Sequence, residues 1–307
     1  MNKLASDIGC IIVTFNRIEK LKKTLDSYAK QNLLPKYILV VNNASTDGTA
    51  MFLEKWGKKD EGFEKIVLNS ATNIGGSGGF YLGEKEAIRL NADWIMIADD
   101  DAYPQIDYIE GMQHYIESHD MSFVSILCGK VLQHGSPLNF HRGKWKSQWA
   151  VDFYSAANKT DYEKEEFYLD FASYVGILIN KDKLLKAGFV NKDNFIWYDD
   201  TEHTFRLSQV GKIVCIPRFA IIHDVDETHS GLSWKTYYGY RNSLNFFKTH
   251  FPTHYPVVIS KLFCKTLLIP LKGRSLEEIK LRMAAIKDSI LNHTGKHSLY
   301  KPGWRPK

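Results

Sequence analysis

The chain has 307 residues, of which 44% are hydrophobic and 24% are charged, and this composition excludes an intrinsically disordered chain and a membrane protein with many spans. Its net charge of +5 is unevenly distributed. Residues 231–307 contain 14 Lys and Arg against 3 Asp and Glu, a net charge of +11, so residues 1–230 carry a net charge of −6. The sequence therefore predicts two parts, an acidic body over residues 1–230 and a basic extension over residues 231–307.

The cysteines and the N-terminal segment bear on the cellular compartment. The four cysteines are scattered singly, and three of them sit in apolar runs, as buried reduced thiols do. The N-terminal segment has no apolar stretch long enough for a signal peptide, and no run reaches the roughly 18 apolar residues of a spanning helix. These patterns predict a cytoplasmic protein.

Short β-branched runs alternate with amphipathic segments over the first hundred residues. Strands are predicted at residues 8–14, 37–41, 65–68 and 93–98, and helices at residues 18–31, 46–56 and 79–90. Thr46 or Asp47 is expected to cap the second of these helices. The alternation predicts an α/β fold with a parallel sheet and right-handed crossovers.

The alternation weakens after about residue 120. Strands are predicted at 121–131 and 167–179, long loops at 135–164, a short helix at 201–210, and a closing strand pair at 212–217 and 219–223. Helices are predicted at 234–251, 258–269 and 275–292. The basic extension is therefore expected to be helical.

Ligands of parallel sheets bind beyond the carboxyl ends of the strands, where an acidic triplet follows the fourth predicted strand. The carboxylates of Asp99, Asp100 and Asp101 repel one another, and a hard divalent cation relieves that repulsion. In an extended backbone Asp99 and Asp101 point to the same side. The pattern predicts a metal site, with a solvated acidic turn as the alternative. His223, which ends an apolar run, is a candidate further ligand or a hydrogen-bonded structural histidine.

A glycine-rich segment at residues 73–80 precedes a predicted helix. It matches neither the dinucleotide fingerprint nor the P-loop. Its glycines would allow a ligand to approach the backbone closely, and a helix N-terminus favours negative charge. A flexible turn is the alternative.

A second acidic group follows the aromatic residues at 195–198. A carboxylate held beside an aromatic wall and a metal can act as a general base, which makes Asp199, Asp200 and Glu202 candidates. The alternative is a helix N-terminus whose acids suit the helix dipole. Glu202 and Arg206 have the i,i+4 spacing of a helical ion pair.

Taken together, these segments carry a resemblance to a known family. The chain contains, in this order, VTFNR, VVNNASTDGT, NIGGSGGF, ADDDA and WYDDTEHTFR. Over roughly residues 8–230 it resembles the family-2 inverting glycosyltransferases of GT-A fold. Its GGxGGF and W-x-D-D-x-E-x-x-x-R patterns are most similar to those of bacterial galactofuranosyltransferases, with rhamnosyltransferases as close neighbours. The stretch YYGYRN at residues 237–242 is also similar to one that these enzymes carry.

The resemblance implies a fold and a set of site residues. The fold would be Rossmann-like, with a mostly parallel sheet, helices on both faces and a C-terminal helical extension. The nucleotide sugar would contact Thr14, Arg17, Asn43, Asn73, Gly75, Gly76, Asp99 and Asp100, and Asp47 would support the loop after the second strand. The metal ion, Mn²⁺ or Mg²⁺, would be bound by Asp99, Asp101 and His223. The catalytic base would be Asp200, and the acceptor would contact Trp197, Asp199 and Glu202. At the position of Asn43 many members of the family have Asp.

The implied activity is a metal-dependent, inverting transfer of galactofuranose from UDP-galactofuranose to a hydroxyl group of a lipid-linked glycan, in bacterial surface polysaccharide synthesis. A rhamnosyltransferase using dTDP-rhamnose is the second interpretation, and a nucleotidyltransferase and a carbohydrate-binding module are weaker ones. A nucleic-acid-binding protein would explain the basic extension but not the two acidic groups.

The basic extension itself has two interpretations. It either packs on the body and exposes a solvated basic face, or it attaches a cytoplasmic enzyme to the anionic inner face of the cell membrane.

Overall fold

The computed structural model describes residues 6–146, 154–225, 231–269 and 275–306. The strands are β1 (Ile8–Thr14), β2 (Tyr37–Asn42), β3 (Glu64–Asn69), β4 (Trp94–Asp99), β5 (Ala102–Pro104), β6 (Val124–Gln133), β7 (Ser136–Pro137), β8 (Arg142–Trp145), β9 (Tyr154–Ala156), β10 (Phe167–Leu169), β11 (Phe171–Ala172), β12 (Ile177–Asn180) and β13 (Lys212–His223). The helices are α1 (Ile18–Ala29), α2 (Thr49–Gly57), α3 (Gly75–Ala87), α4 (Tyr108–Ser118), α5 (Lys181–Ala187), α6 (Asp199–Ser208), α7 (Trp234–His250), α8 (Tyr255–Leu267) and α9 (Leu276–Ile290).

The main sheet has the strand order β10-β13-β6-β12-β4-β1-β2-β3. Strand β1 runs parallel to its neighbours β2 and β4, and β3 continues the parallel part beside β2. Strand β12 enters antiparallel between β4 and β6, and β13 lies parallel to β6. The predicted α/β fold with a mostly parallel sheet is confirmed.

Helices cover both faces of this sheet. Cys10 and Ile12 of β1 pack in a core that also contains Leu21 and Leu25 of α1. Their neighbours Ile11 and Val13 point to the other face, into a core with Phe80 and Ala87 of α3. This alternation is what a strand buried on both faces requires.

Helix α3 begins at Gly75, four residues before the predicted start, because the glycines belong to the helix itself. A Cβ atom on Gly79 would lie 2.5 Å from Cγ1 of Val13, and one on Gly83 would lie 2.5 Å from Cγ2 of Ile11. The missing side chains let α3 pack directly on β1. Most of the glycine-rich segment is therefore the first turns of a helix in close contact with the sheet, and the alternative of a flexible turn is wrong for residues 75–80.

The start of α2 also differs from the prediction. Gly48, with φ of +91°, is the N-cap residue, so neither Thr46 nor Asp47 caps the helix. The carboxylate of Asp47, one residue earlier, still accepts a hydrogen bond from the main-chain N–H of Thr49 (3.2 Å), the first residue of α2. It also accepts from Oγ1 of Thr49 (2.6 Å) and from the main-chain N–H of Ile18 (3.0 Å). Asp47 thus ties the loop after β2 to the start of α1.

Three predictions for the second half of the body need correction. The strand pair at 212–217 and 219–223 is one strand, β13, whose register shifts between Cys215 and Ala220 around Pro217, which has no N–H to donate. The strand expected at 167–179 is three short strands. The loops expected at 135–164 contain short strands, two of which join β11 in a second sheet of order β11-β8-β9, while residues 147–153 lie outside the described part.

The predicted C-terminal helices are confirmed as α7, α8 and α9. Aromatic side chains of α7 pack on the body, since the ring of Phe246 lies 5.3 Å from that of Phe205 and 6.2 Å from that of Trp145. The division into domains at residue 230 stays a prediction. Within the described residues, no helix combines the length and the apolar character that crossing a membrane requires.

Candidate active site

The acidic triplet begins at the last residue of β4 and is fixed by the first strand and helix. Asp100 accepts hydrogen bonds from Oγ1 of Thr14 (2.8 Å) and from the guanidinium group of Arg17 (3.1 Å). Arg17 also donates to Asp101 (2.6 Å). One arginine therefore holds two neighbouring carboxylates that would otherwise repel each other. The arginine side chain remains 39% exposed, so it is also accessible to a ligand.

The predicted metal ligands come together in space. Strand β13 ends at His223, whose Nε2 lies 3.5 Å from Oδ1 of Asp101. One ligand atom from each of Asp99, Asp101 and His223 can be chosen so that all lie within 4.8 Å of one another. Opposite ligands of one small divalent cation lie about twice the usual metal–ligand distance of roughly 2.1 Å apart, so this spacing fits one cation. Two carboxylates and one imidazole are also ligands that Mn²⁺ accepts.

A second histidine, His141, orients His223, and sequence reasoning missed it. The Nδ1 atom of His223 lies 3.3 Å from Nε2 of His141, and Nδ1 of His141 lies 2.6 Å from Oγ of Ser173. Burial and the neighbouring His223 lower the pKa of His141 to about 3, so its imidazole is neutral. A neutral His141 can accept the Nδ1 proton of His223, which leaves Nε2 of His223 available to a metal.

The three aspartates differ in their pKa values because their surroundings differ. Burial, together with the carboxylate of Asp101, raises the pKa of Asp99 to about 7. Burial also raises the pKa of Asp100 to about 6, although Arg17 opposes the rise. For Asp101 burial acts in the same direction, but the hydrogen bond with His223 and the charge of Arg17 outweigh it, so its pKa is lowered. A cation would favour the ionised form of all three carboxylates.

The glycine-rich segment is held by Asn43. The side chain of Asn43 accepts from the main-chain N–H of Ile74 (2.9 Å) and donates to the carbonyl of Gly75 (2.9 Å). It also donates to Oδ1 of Asn73 (3.3 Å). Asn43 is 2% exposed, so these contacts give it a part in shaping the loop, and its contact with a nucleotide base stays a prediction. Asn73 and Gly76 are more accessible at the start of α3.

The second acidic group lies against this same helix start. Oγ of Ser77 donates to Asp199 (2.9 Å), and the main-chain N–H of Ser77 donates to the carbonyl of Phe195 (3.2 Å). A Cβ atom on Gly75 would lie only 2.0 Å from that carbonyl oxygen. The residues predicted for the donor and for the acceptor therefore meet where α3 touches the segment before α6.

Asp200, the predicted base, lies in the first turn of α6. Its Oδ1 accepts from the main-chain N–H (2.6 Å) and from Oγ1 (3.2 Å) of Thr201. Burial and the carboxylate of Asp199 raise the pKa of Asp200 to about 7. A carboxylate with a pKa near neutrality suits proton transfer at physiological pH.

Glu202 forms the predicted helical ion pair. Arg206 donates to both of its carboxylate oxygens, at 2.7 and 3.0 Å, and Nε2 of His250 lies 3.0 Å from one of them. Burial acts to raise the pKa of Glu202, but these partners outweigh it and lower the pKa to about 2. The structure thus brings Glu202 to Arg206 and His250, and its contact with an acceptor stays a prediction.

The aromatic segment before α6 has an unusual backbone. Phe195, Trp197 and Tyr198 have φ of +66°, +63° and +65°. Each residue other than glycine in this left-handed region costs about 1 kcal/mol. This conformation could not be predicted from the residue types, because glycine and asparagine are the residues that favour it. The side chain of Trp197, which precedes Asp199 and Asp200 by two and three residues, is 45% exposed.

Lys235, in the first turn of α7, is a further site residue that sequence reasoning missed. Burial and the charge of Arg17 lower its pKa, while the three aspartates of the triplet act in the opposite direction. Lys235 therefore lies within electrostatic range of the acidic triplet, although it is far from it in sequence. Its ammonium group adds positive charge beside the three carboxylates.

Comparison with known proteins shows which proteins this chain resembles. The sequence profile described as Glycosyl transferase family 2 matches residues 10–175. The galactofuranosyltransferase GlfT1 of Mycobacterium tuberculosis is 33% identical over 102 residues, which cover 33% of this chain and 33% of that protein. The match to this relative thus spans about a third of its length.

Two further proteins match over almost the whole chain, one in sequence and one in fold. The dTDP-rhamnosyl transferase RfbF of Shigella flexneri is 23% identical over 311 residues, covering 94% of this chain and 97% of that protein. The crystal structure of GalNAc-T7 with UDP, GalNAc and Mn²⁺ has a TM-score of 0.64 at 16% identity, covering 95% of this chain and 57% of that chain. The fold is that of the GT-A glycosyltransferases.

Proposed function

Because this chain belongs to glycosyl transferase family 2 and is a glycosyltransferase, we propose that it transfers galactofuranose from UDP-galactofuranose to a hydroxyl group of a glycan acceptor, with inversion at the anomeric carbon. The observation that carries the proposal is the convergence of two acidic groups on one end of the sheet. Asp99, Asp101 and His223 form a cation-sized cluster there. Asp199 and Asp200 begin the neighbouring helix α6.

The donor side is built to bind a nucleoside diphosphate. A divalent cation held by Asp99, Asp101 and His223 would supply positive charge for the departing diphosphate. Arg17 adds a guanidinium group that is partly exposed. The start of α3 directs the positive end of the helix dipole toward the phosphates, with Gly76 as its accessible residue, while the main-chain N–H of Gly75 donates to Oδ1 of Asn73 (2.8 Å). Asn73, together with Thr14 and Asp100, completes the proposed donor site.

The acceptor side supports base catalysis by Asp200. Thr201 donates to Oδ1 of Asp200, which fixes the carboxylate and leaves Oδ2 to accept the proton of the acceptor hydroxyl. Asp199 and Trp197 flank it, and a sugar ring can stack on the exposed indole. The hydroxyl oxygen then forms a bond to the anomeric carbon as the bond to the diphosphate oxygen breaks. Attack opposite the leaving group inverts the configuration without a covalent enzyme intermediate.

The identity of the donor sugar has two candidates. The galactofuranosyltransferase relatives have the higher identity but match about a third of the chain. The rhamnosyltransferase relative has lower identity but matches 94% of the chain, which favours dTDP-rhamnose as the second candidate.

A donor screen tests the choice. The enzyme is incubated with Mn²⁺, simple glycosides and one of UDP-galactofuranose, UDP-galactopyranose, UDP-glucose or dTDP-rhamnose. We expect release of UDP and transfer with UDP-galactofuranose only. Transfer from dTDP-rhamnose alone would replace the first candidate with the second.

An anionic membrane surface is the proposed site of action, since lipid-linked acceptors reside there. Helices α8 and α9, with the residue that follows α8, expose apolar side chains, namely Val257, Phe263, Leu267, Leu268, Met283 and Ile290. Exposed lysines lie on the same helices, namely Lys261, Lys265 and Lys287. Apolar side chains beside lysines are the chemistry that binds the boundary of an anionic bilayer. In this proposal the enzyme is cytoplasmic and peripheral to the inner face of the membrane.

Vesicle co-sedimentation tests the membrane proposal. Binding to vesicles of phosphatidylglycerol, and little binding to phosphatidylcholine, is expected for the native protein and for Phe123→Ser, which removes an exposed apolar side chain elsewhere. The double variant Phe263→Ser, Leu267→Ser is expected to lose this binding. Equal binding by all three proteins would exclude the apolar face as the membrane-binding surface. If the native protein is a dimer and the double variant is a monomer, the apolar face is instead the contact with a second copy of the chain.

A further inference from the structure

We propose that Gly239, Arg241 and Asn242 of helix α7 form a clamp that holds the strained segment 194–198 and thereby positions Trp197 and Asp200. The proposal rests on the proposed function of Asp200 as the base. In this proposal the three residues are positioning residues, because they act through the segment and do not contact the reacting atoms.

Asn242 is the centre of the clamp. The two hydrogens of its side-chain amide nitrogen are shared among the main-chain carbonyls of Asn194 (3.0 Å), Ile196 (3.0 Å) and Trp197 (2.8 Å). Asn242 is 2% exposed, so water does not substitute for these contacts. Three carbonyl groups from one short segment converge on a single amide, which requires the chain to curl around it.

Arg241 fixes Asn242 and the base of the segment. Its Nε donates to Oδ1 of Asn242 (3.0 Å), which sets the orientation of that amide. Its guanidinium group also donates to the carbonyls of Asn194 (3.0 Å) and Gly295 (2.7 Å). The group lies 4.9 Å from the ring centroid of Tyr238, which buries it further. The planar guanidinium thus joins three parts of the chain, a geometry that lysine does not reproduce.

Gly239 supports the side chain of Trp197. A Cβ atom on Gly239 would lie 3.0 Å from Cε3 of the indole, so the ring rests directly on the backbone of α7. On the opposite side, the N–H of Ser77 binds the carbonyl of Phe195. The segment is therefore held between the start of α3 and the middle of α7.

The strain explains why a clamp is needed. Three residues with positive φ persist only where their surroundings fix the backbone, and such strain is concentrated at functional sites. Loss of the contacts to Asn242 would let the segment relax to ordinary φ values. Asp200 follows Tyr198 by two residues, so relaxation would move the carboxylate. The YYGYRN stretch, which the sequence left without a role, acquires one in the catalytic site.

The test compares Asn242→Ala and Asn242→Asp with Lys248→Ala. Lys248 is the matched control, because it also makes three hydrogen bonds from α7, but to residues 289, 290 and 292. Three quantities are measured for each protein: kcat for transfer, the affinity for UDP with Mn²⁺, and hydrogen–deuterium exchange over residues 193–201. We expect both Asn242 variants to lose about 100-fold in kcat, the size of effect that a displacement of about 1 Å produces.

The pattern across the three measurements decides the proposal. For the Asn242 variants, UDP affinity is expected within about threefold of the native value, and exchange over 193–201 faster by about tenfold or more, as for a segment released from its hydrogen bonds. Lys248→Ala is expected to match the native protein in all three. Native exchange over 193–201 in the Asn242 variants, or the same acceleration in Lys248→Ala, would overturn the clamp.

A second variant tests the proposal in case the Asn242 variants do not fold. Alanine is favoured over glycine within a helix, so Gly239→Ala is expected to fold, while its Cβ displaces the indole of Trp197. The KM for the acceptor is expected to rise several-fold with the KM for the donor unchanged; an unchanged acceptor KM would overturn the support of Trp197 by α7. If the native enzyme transfers none of the donor sugars, the proposed function fails, whereas the exchange measurements still decide the clamp.

Discussion

The Nδ1 atom of His223 lies 3.3 Å from Nε2 of His141, and the opposite nitrogen of His223 lies 3.5 Å from a carboxylate oxygen of Asp101. One ring nitrogen of His223 therefore contacts the buried, neutral imidazole of His141. The other ring nitrogen faces the carboxylates of the proposed cation site. Partners of this kind set the tautomer of a metal-binding histidine and raise its basicity.

Replacing His141 is expected to weaken metal binding although His141 is not a ligand. For His141→Ala we expect the Mn²⁺ affinity to fall by about 10- to 100-fold, because His223 loses the partner that orients it. Titration calorimetry with Mn²⁺ alone measures this, without reference to activity. The exposed His119 provides a control, and His119→Ala is expected to bind Mn²⁺ like the native protein. Equal affinities for the native protein and His141→Ala would exclude this orienting role.

Removing divalent cations is expected to stop transfer. Without a cation, the leaving diphosphate loses its main source of positive charge, so activity in EDTA is expected to fall below about 1% of the starting rate. Adding Mn²⁺ or Mg²⁺ in excess of the chelator should restore it. Full activity in EDTA would contradict the metal role of Asp99, Asp101 and His223.

Removing the proposed base is expected to slow the transfer reaction while leaving donor binding nearly unchanged. For Asp200→Asn we expect kcat to fall by about 10²- to 10⁴-fold, the usual contribution of general base catalysis. UDP affinity should stay within about threefold, since Asp200 belongs to the proposed acceptor side. Asp182→Asn, in the first turn of α5, is a control for loss of an acid at a helix start and should be fully active. Asp200→Asn that retains more than a few per cent of activity would show that the base is another residue.

The pKa of Asp200 predicts the pH dependence. Burial and Asp199 raise it to about 7, and only the ionised carboxylate accepts a proton, so kcat should fall about tenfold per pH unit below pH 7. Asp199→Asn removes the neighbouring negative charge, which lowers the pKa of Asp200 and moves the midpoint of the profile to lower pH. A midpoint that stays in place or moves to higher pH in Asp199→Asn would contradict this assignment.

The left-handed backbone at Trp197 predicts that glycine at this position gives a more stable protein than alanine, the reverse of the usual order. Glycine tolerates φ of +63° and alanine does not, so Trp197→Gly should be more stable to urea than Trp197→Ala by about 1 kcal/mol. Tyr168, exposed in strand β10, provides the comparison, because there the alanine variant should be the more stable. A less stable glycine variant at both positions would argue against strain at Trp197.

Much of the fold was predictable, because buried strands and amphipathic helices leave a local periodic pattern. Strand β1 has the predicted bounds, and the acidic triplet lies at the carboxyl end of β4 as expected. The start of α3 was mispredicted because its glycines resemble a turn unless the contacts with Val13 and Ile11 are known.

The supporting residues of the site could not be predicted, because they act across long stretches of sequence. His141 and His223 are 82 residues apart, and His141 lies in a region without clear periodicity. Asn242 meets Trp197 across 45 residues, within a stretch whose similarity to known enzymes carries no indication of what it contacts. Lys235 likewise approaches the triplet only through the course of α7.

If Trp197 contacts the acceptor as proposed, its positive φ also limits which side chains could replace it to change acceptor preference. β-Branched side chains are excluded from this backbone conformation, and glycine, the residue that tolerates it best, offers no surface to a sugar. Few residues at position 197 would both fit this backbone conformation and offer a surface to a sugar. Adaptation to a new acceptor is expected to alter the residues on which the indole rests, beginning with Gly239, while the aromatic ring itself is retained.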